Sequence, residues 1–326
     1  MTLDADTIVD RRRLRRKLTR WRVIAVLVAI IAIVGGAFAI YGRSMGGKAS
    51  FTGNFIARVT ISGIIRGDTG RVEALDRLER SQAKAVIVHI DSPGGTTAGS
   101  EQLHDALRRV ALKKPTVVVV DGLAASGGYI AAIASDHIIA QKTSLVGSIG
   151  VLFQYPNVSE LLKTVGVKVE EIKSSPLKAA PNGFEPTSPE ARAAIEAIVK
   201  DSFEWFRGMV GDRRKLDGEA LDKVSDGRVF TGRQAVDNKL IDELGDEKTA
   251  IAWLAREKGV DAKTPVRDWH LKDRLSDLSF LHLGMAALLD SIGLKSLAEH
   301  FAGAGALQTL QRLNLDGLLA LWHPPA

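Results

Sequence analysis

Nineteen consecutive uncharged positions, Val23 to Tyr41 (VIAVLVAIIAIVGGAFAIY), stand out from an otherwise mixed chain. At 1.5 Å rise per residue a helix of that length spans about 28 Å, close to the hydrocarbon thickness of a bilayer. Trp21 and Tyr41 stand at its ends, where amphipathic rings favour the membrane interface. A polar Gly/Ser-containing stretch, residues 42–54, reads as a tether. Beyond it the chain turns to short alternating elements. Residues 55–65 (FIARVTISGII) are rich in β-branched residues and predict a strand. Val72, Leu75 and Leu78 form the stripe of a short helix. Residues 85–90 (AVIVHI) and 116–120 are brief apolar runs bounded by turn residues, which suits strands buried on both faces. Between them Leu103, Ala106, Leu107 and Val110 give residues 100–112 a helical face, and a helix at 128–134 and a strand at 136–140 follow.

Strand and helix alternating at this spacing mean βα units around a parallel or mostly parallel sheet, an α/β fold. A long helix starts where Ser188 can cap it and Pro189 fits the first turn, with Ile195, Val199, Phe206 and Val210 along one face. After about residue 258 the pattern changes again. Residues 275–322 are Leu/Ala/Gly-rich with scattered polar positions, and no stretch there reaches eighteen uninterrupted apolar residues, so they are not a second span. They predict a helical appendage that packs on a partner, another subunit or the membrane surface.

Charge changes the picture at one end only. The 326 residues carry a net +6, but residues 1–22 hold eight Lys/Arg against three acids, which leaves 36 cations against 35 acids elsewhere. That distribution excludes a nucleic-acid surface. It also orients the apolar run: by the positive-inside rule residues 1–22 are cytoplasmic and residues 42–326 lie outside the cytoplasm. The expected location is the inner (cytoplasmic) membrane, crossed once. A cleaved signal peptide competes with this reading, because Ala37-Phe38-Ala39 is an A-x-A pattern. The run exceeds the 7–15 residues of a signal core, which favours a retained anchor. A buried core helix lacks flanking cations and is the weakest reading. Mean hydropathy of +0.04 excludes a polytopic transporter. The absence of cysteine removes disulfides, thiolate zinc and a cysteine nucleophile together, and the seven histidines show no paired ligand spacing. No metal and no cofactor is expected.

Two glycine-bearing turns follow buried strands: Asp91-Ser92-Pro93-Gly94-Gly95, and Asp121 through Ala125-Ser126-Gly127-Gly128-Tyr129. Ligands in open α/β sheets gather at the carboxyl ends of strands, so both are well placed. Ser126 sits among small residues just before a helix, whose first N–H groups could face an oxyanion formed at its attack point. A second donor from Gly94-Gly95 would complete the hole, with glycine keeping the backbone open to substrate. Ordinary Gly-rich strand–helix turns would look the same. Neither turn is a P-loop, and Ser126 is not in a G-x-S-x-G elbow.

IDSPGG (90–95), AASGGY (124–129), GSIGV (147–151), IKSSPLK (172–178) and GRVFTGRQAVDNKLIDELG (227–245) occur in that order at fitting intervals. Together they resemble the signal peptide peptidase A (protease IV) family in its short membrane-anchored form, over residues 55–258. The resemblance implies a Clp-protease/crotonase-like repeated ββα fold and a serine protease with a Ser/Lys dyad. Ser126 matches the nucleophile and Lys178 the general base; Gly95 and Gly127 match the oxyanion hole, and Ser148 the serine that orients the lysine. It implies a homo-oligomeric ring in which the lysine of one subunit serves the serine of its neighbour. The substrates implied are remnant signal peptides in the lipid bilayer and misfolded exported proteins.

The organisation expected is then a basic cytoplasmic tail (1–22), an anchor (23–41), a linker (42–54), the peptidase domain (55–258) and a helical appendage (259–326). Duller readings stand beside the sharp ones. Lys178 could be a surface cation, Ser148 a turn residue, and Lys173 is close enough to be confused with Lys178. His89, beside the SPGG loop, is read as a core or interface histidine rather than a triad member. A catalytically silent membrane scaffold and crotonase-type acyl-CoA chemistry are the competing functions; the intact Ser126, Lys178 and Gly95 weigh against the first, and export with a nucleophilic serine against the second.

Overall fold

The computed structural model describes residues 21–22, 53–271 and 319–321. The chain divides into two compact units, Met1–Gly53 and Asn54–Ala326, and all elements named below belong to the second. The expected span at 23–41 lies outside the described residues; among the described residues no helix is long and apolar enough to cross a membrane.

Strand β1 (Phe55–Ser62) is followed by helix α1 (Thr69–Glu79), which begins where the Asp68 side chain accepts the Arg71 N–H. Strand β2 (Ala83–Ser92) and the short β3 (Gly94–Thr96) lead into α2 (Thr97–Lys113), capped by Thr96. Strand β4 (Thr116–Ala125) enters α3 (Gly127–Ala132) through Ser126. Then come β5 (His137–Ala140), β6 (Leu145–Gly147) and α4 (Ser159–Thr164). Helix α5 (Pro189–Arg214) starts as expected, with Ser188 Oγ accepting the Ala191 N–H at 3.1 Å. Helix α6 (Gly218–Val224), β7 (Val229–Thr231), α7 (Gly232–Asp237), β8 (Glu243–Leu244), α8 (Glu247–Lys258), β9 (Val266–Asp268) and β10 (Leu319–Leu321) complete the set.

The sheet is mixed and eight-stranded, ordered β7-β6-β4-β2-β1-β9, with β5 beside the first half of β4 and β8 beyond β5. All pairs are parallel except β6–β7. β10 lies in a separate two-stranded sheet, antiparallel to β3. The sheet therefore continues past residue 258 into the stretch read as a helical appendage; residues 272–318 lie outside the described residues.

Alternation along the strands builds the core. Ile56, Ala85, Ile87, Val117, Val119 and Ile139 share one face and pack on Ala250, Trp253 and Leu254 of α8. The other face meets α1, α2 and α3 through buried Leu75, Leu78, Leu103, Leu107 and Ile130. Strand β4 runs five residues further than its apolar pattern predicts. Opposite β2 the register steps from Ile90↔Val120 to Ser92↔Ala124, so a bulge absorbs the polar Asp121-Gly122 and pairing resumes. That resumed pairing holds Ser126 in place.

Candidate active site

Ser92 and Ala124 are cross-strand partners on adjacent parallel strands, so the two glycine turns rise side by side. They touch closely: a Cβ at Gly128 would lie 2.6 Å from the Ser92 carbonyl oxygen. β4 also pairs with β6 through Ala125↔Gly147, which makes Ser126 and Ser148 the next residues of neighbouring strands. The Ser126 N–H donates to the Gly147 carbonyl at 2.7 Å, and the Ser148 N–H to the Arg228 carbonyl at 2.8 Å. Both serines are buried, and both have positive φ, 52° and 51°. For a residue with a Cβ this is costly, on the order of 1–3 kcal/mol each, and persists only where the surroundings enforce it. Two such residues side by side at strand ends mark a built feature.

Ser126 sits on a sharp strand-to-helix turn without the G-x-S-x-G sequence. Its hydroxyl makes no hydrogen bond to the helix it precedes. Gly127 opens α3, so its N–H precedes the first helical hydrogen bond. The helix is anchored by Tyr129, which is fully buried and donates its hydroxyl to the Leu240 carbonyl at 2.7 Å; burial pushes the phenol pKa up.

Gly95 is framed by Ile65. The Ile65 N–H donates to the Gly94 carbonyl (2.8 Å) and the Thr96 N–H to the Ile65 carbonyl (2.9 Å). A Cβ on Gly95 would lie 1.7 Å from the Ile65 oxygen. Glycine is thus required here by contact with the backbone behind it, whereas the sequence reading attributed it to access from the substrate side. Ile65 itself was not singled out from sequence; it was read simply as the end of strand 55–65, while the strand stops at Ser62 and Ile65 forms an isolated bridge to Gly95.

The structure brings Ser126, Gly127, Ser148 and Gly95 to one end of the sheet. Lys178 is exposed, on the long excursion between β6 and α5. Among the described residues its side chain has no hydrogen bond or ion pair; its backbone N–H donates to the Ser175 carbonyl. Lys173, its near neighbour, is different. Its ammonium lies 2.6 Å from Glu171 and 2.8 Å from Glu185, and these carboxylates raise its pKa above the ordinary lysine value. A lysine held cationic is no base. A cavity of about 650 Å³ lies beside it, lined by Val169, Lys173, Pro176, Pro181 and Phe184, and includes neither Ser126 nor Lys178.

His89 is also committed elsewhere. Its Nδ1 lies 2.9 Å from Asp121 and its Nε2 2.8 Å from Glu247, which in turn accepts two hydrogen bonds from Arg58. Arg58 holds the Glu247 carboxyl below the usual carboxylate range, with His89 assisting. With both ring nitrogens on carboxylates, His89 ties strands β2 and β4 to α8.

Residues 108–261 match the family model described as Peptidase family S49, and residues 70–145 match that of Clp protease. A protein of Synechocystis sp. that carries a protease name is 36% identical over 63% of this chain and 75% of its own. The chain belongs to peptidase family S49. A protein of Enterococcus faecium named for signal peptide peptidase SppA is 30% identical over 65% of this chain and 66% of that one. The chloroplastic serine protease SPPA of Arabidopsis thaliana is 31% identical over 74% of this chain and 36% of that one. The mixed sheet and the Clp match make this S49 peptidase a Clp-protease-like α/β protein.

Proposed function

We propose that this S49 peptidase is a membrane-anchored Ser/Lys endopeptidase that degrades remnant signal peptides and misfolded exported polypeptides. The observation that carries it is Ser126: buried, strained, beside Ser148 and between two turns rich in backbone donors. In the reading, Ser126 Oγ attacks a peptide carbonyl while Gly95 and Gly127 N–H groups hold the developing oxyanion. Lys178 takes the serine proton and returns it to the leaving amine; water then releases the acyl-enzyme.

The lysine comes from a neighbouring copy. It is exposed within a stretch that leaves Val167, Ile172, Leu177 and Phe184 uncovered, with Ile172 entirely open to solvent. Such a surface fits a protein interface better than water. A lysine is a base only when neutral, and burial in an apolar interface favours that form. Ser148 would orient it next to Ser126. The anchor at 23–41 and the cationic tail before it would keep the ring at the outer surface of the membrane, where apolar peptides emerge.

The test uses an activated fluorophosphonate probe with peptide mapping. Labelling at Ser126 is expected, abolished in Ser126→Ala and in Lys178→Met. Co-assembly of those two inactive variants is expected to restore labelling, because a serine and a lysine from different copies still meet. No labelling of assembled native protein would sink the reading, and failure of co-assembly to restore it would sink the shared site.

A further inference from the structure

Ser92 closes strand β2 with a fully buried side chain whose hydrogen bonds go to the main chain. Its Oγ donates to the Gly63 carbonyl at 2.7 Å and accepts the Gly94 N–H at 3.1 Å. The second bond alone is an ordinary turn, since serine hydroxyls often bind backbone two residues on. The first is not local: Gly63 lies 29 residues back, just past the end of β1. Gly63 is held from both sides, because its N–H donates to the Asp91 carbonyl at 3.0 Å. Gly94 is held likewise, its N–H by Ser92 and its carbonyl by Ile65. Glycine tolerates many backbone conformations, so at φ 102° these two bonds, rather than sterics, select its orientation. The Gly94 carbonyl and the Gly95 N–H belong to one trans peptide and point opposite ways. With the carbonyl turned to Ile65, the Gly95 N–H faces away from it. Ser92 also supports the second proposed donor. It pairs with Ala124 across strands, and a Cβ at Gly128 would lie 2.6 Å from its carbonyl oxygen, so α3 seats directly on it. Gly127 opens that helix.

We propose that Ser92 is a positioning residue for catalysis, fixing where the Gly95 and Gly127 N–H groups point. The proposal rests on the Ser126 peptidase reading above and adds the group that stands behind its oxyanion hole. A serine hydroxyl has one proton to donate, and that of Ser92 is committed to Gly63, so it acts through the main chain and not on substrate. Without the hydroxyl, the N–H of buried Gly94 loses its partner. A glycine so released turns to find another, and the Gly94–Gly95 peptide turns with it. A donor turned away from the developing charge stabilises the transition state less. Binding of uncharged ground-state ligand does not depend on that donor, so it is left as it was.

The test measures fluorophosphonate acylation of the full 326-residue protein in detergent, with competition by acetyl-leucyl-leucyl-alaninal and by the corresponding alcohol. The aldehyde forms a tetrahedral adduct with a nucleophilic serine and places its oxygen in the oxyanion hole; the alcohol forms none. Ser92→Ala should acylate about 10–10²-fold more slowly and lose the same factor in aldehyde affinity, with alcohol affinity within about threefold of native. Ser92→Cys keeps the bulk of the side chain but offers only a weak donor and acceptor, and should behave like Ser92→Ala. Acylation of Ser92→Ala at the native rate overturns the proposal and leaves the peptidase reading standing. Equal loss of aldehyde and alcohol affinity also overturns it, because a site deformed as a whole loses both. A native-like Ser92→Cys does the same, by making Ser92 a space-filler. Failure of both variants to fold, read by circular dichroism, assigns Ser92 to stability and overturns the proposal too. Native protein that does not label at Ser126 refutes the peptidase reading and this inference together.

Discussion

Replacing Gly95 with alanine separates the stability of the site from its chemistry. The added Cβ would lie 1.7 Å from the Ile65 oxygen, 2.5 Å from its carbonyl carbon and 2.7 Å from its nitrogen. These are backbone atoms, so no side-chain rotation relieves the clash; β3 must move away from Ile65. That motion breaks the 2.8 Å and 2.9 Å bonds joining Ile65 to Gly94 and Thr96. Two ordinary hydrogen bonds contribute about 1–3 kcal/mol in total, against a typical domain stability of roughly 5–15 kcal/mol, so the variant should fold. Catalysis is less forgiving. A misdirected oxyanion donor costs about 10²–10³ in rate. Urea midpoints by circular dichroism and the rate of fluorophosphonate acylation, measured on the same preparations, give both numbers. A folded variant with a modest drop in midpoint and a loss of acylation rate of that size is expected. Acylation within threefold of native at a reduced midpoint would refute the argument, because it would mean the Gly95 N–H is not what stabilises the oxyanion.

Three further outcomes follow from the same geometry. Lys178→Met should lower acylation by roughly 10²–10⁴, the usual worth of a general base, while Lys173→Met should stay within an order of magnitude of native; the reverse ranking would mean the wrong lysine was named. Ile172→Glu adds a charge to a fully exposed position and should change single-chain stability by no more than about 0.5 kcal/mol. It should nevertheless dissociate the assembly in sedimentation velocity and lower labelling; native-like sedimentation and labelling would count against the arm as interface. Glu247 has its pKa depressed by Arg58, so its contribution is present above the ordinary carboxylate value and is lost as pH falls through the lowered one. Urea midpoints of native protein should therefore fall below about pH 4 more steeply than those of Glu247→Gln, and parallel curves would refute the linkage.

How much of this was legible in the sequence depends on whether a residue's role is local. β2 and β4 announced themselves as buried apolar runs, and Ser188 announced a helix start, because those signals depend on near neighbours. The side-by-side placement of Ser126 and Ser148 was legible only through the ordered motifs, since the pairing Ala125↔Gly147 spans a loop. Ile65 was beyond reach: what matters there is its main chain, and backbone contact carries no side-chain signature. The bulge at Asp121-Gly122 cut the expected strand short for a related reason, as a polar pair ends an apolar pattern whether or not pairing resumes beyond it. Nor does composition reveal that Leu319–Leu321 returns to β3.

The remaining mismatch is itself informative about assembly. The stripe Ile195, Val199, Phe206 and Val210 predicts one continuous buried face on α5, yet only Phe206 and Val210 are fully buried. Ile195 and Val199 are half-covered and neighbouring Ile198 is 48% exposed. The same holds for the preceding excursion, where Leu161, Val165 and Val167 are each more than half exposed. Fully burying one such side chain contributes about 1.5–3 kcal/mol, so a set of this size forgoes several kcal/mol in a lone chain. Among the described residues no surface covers this apolar pattern. Lys178 lies in that stretch and Ser126 does not. In the proposed shared site, a neighbouring copy that buried this stretch would in the same event bring a lysine to a serine and complete the site.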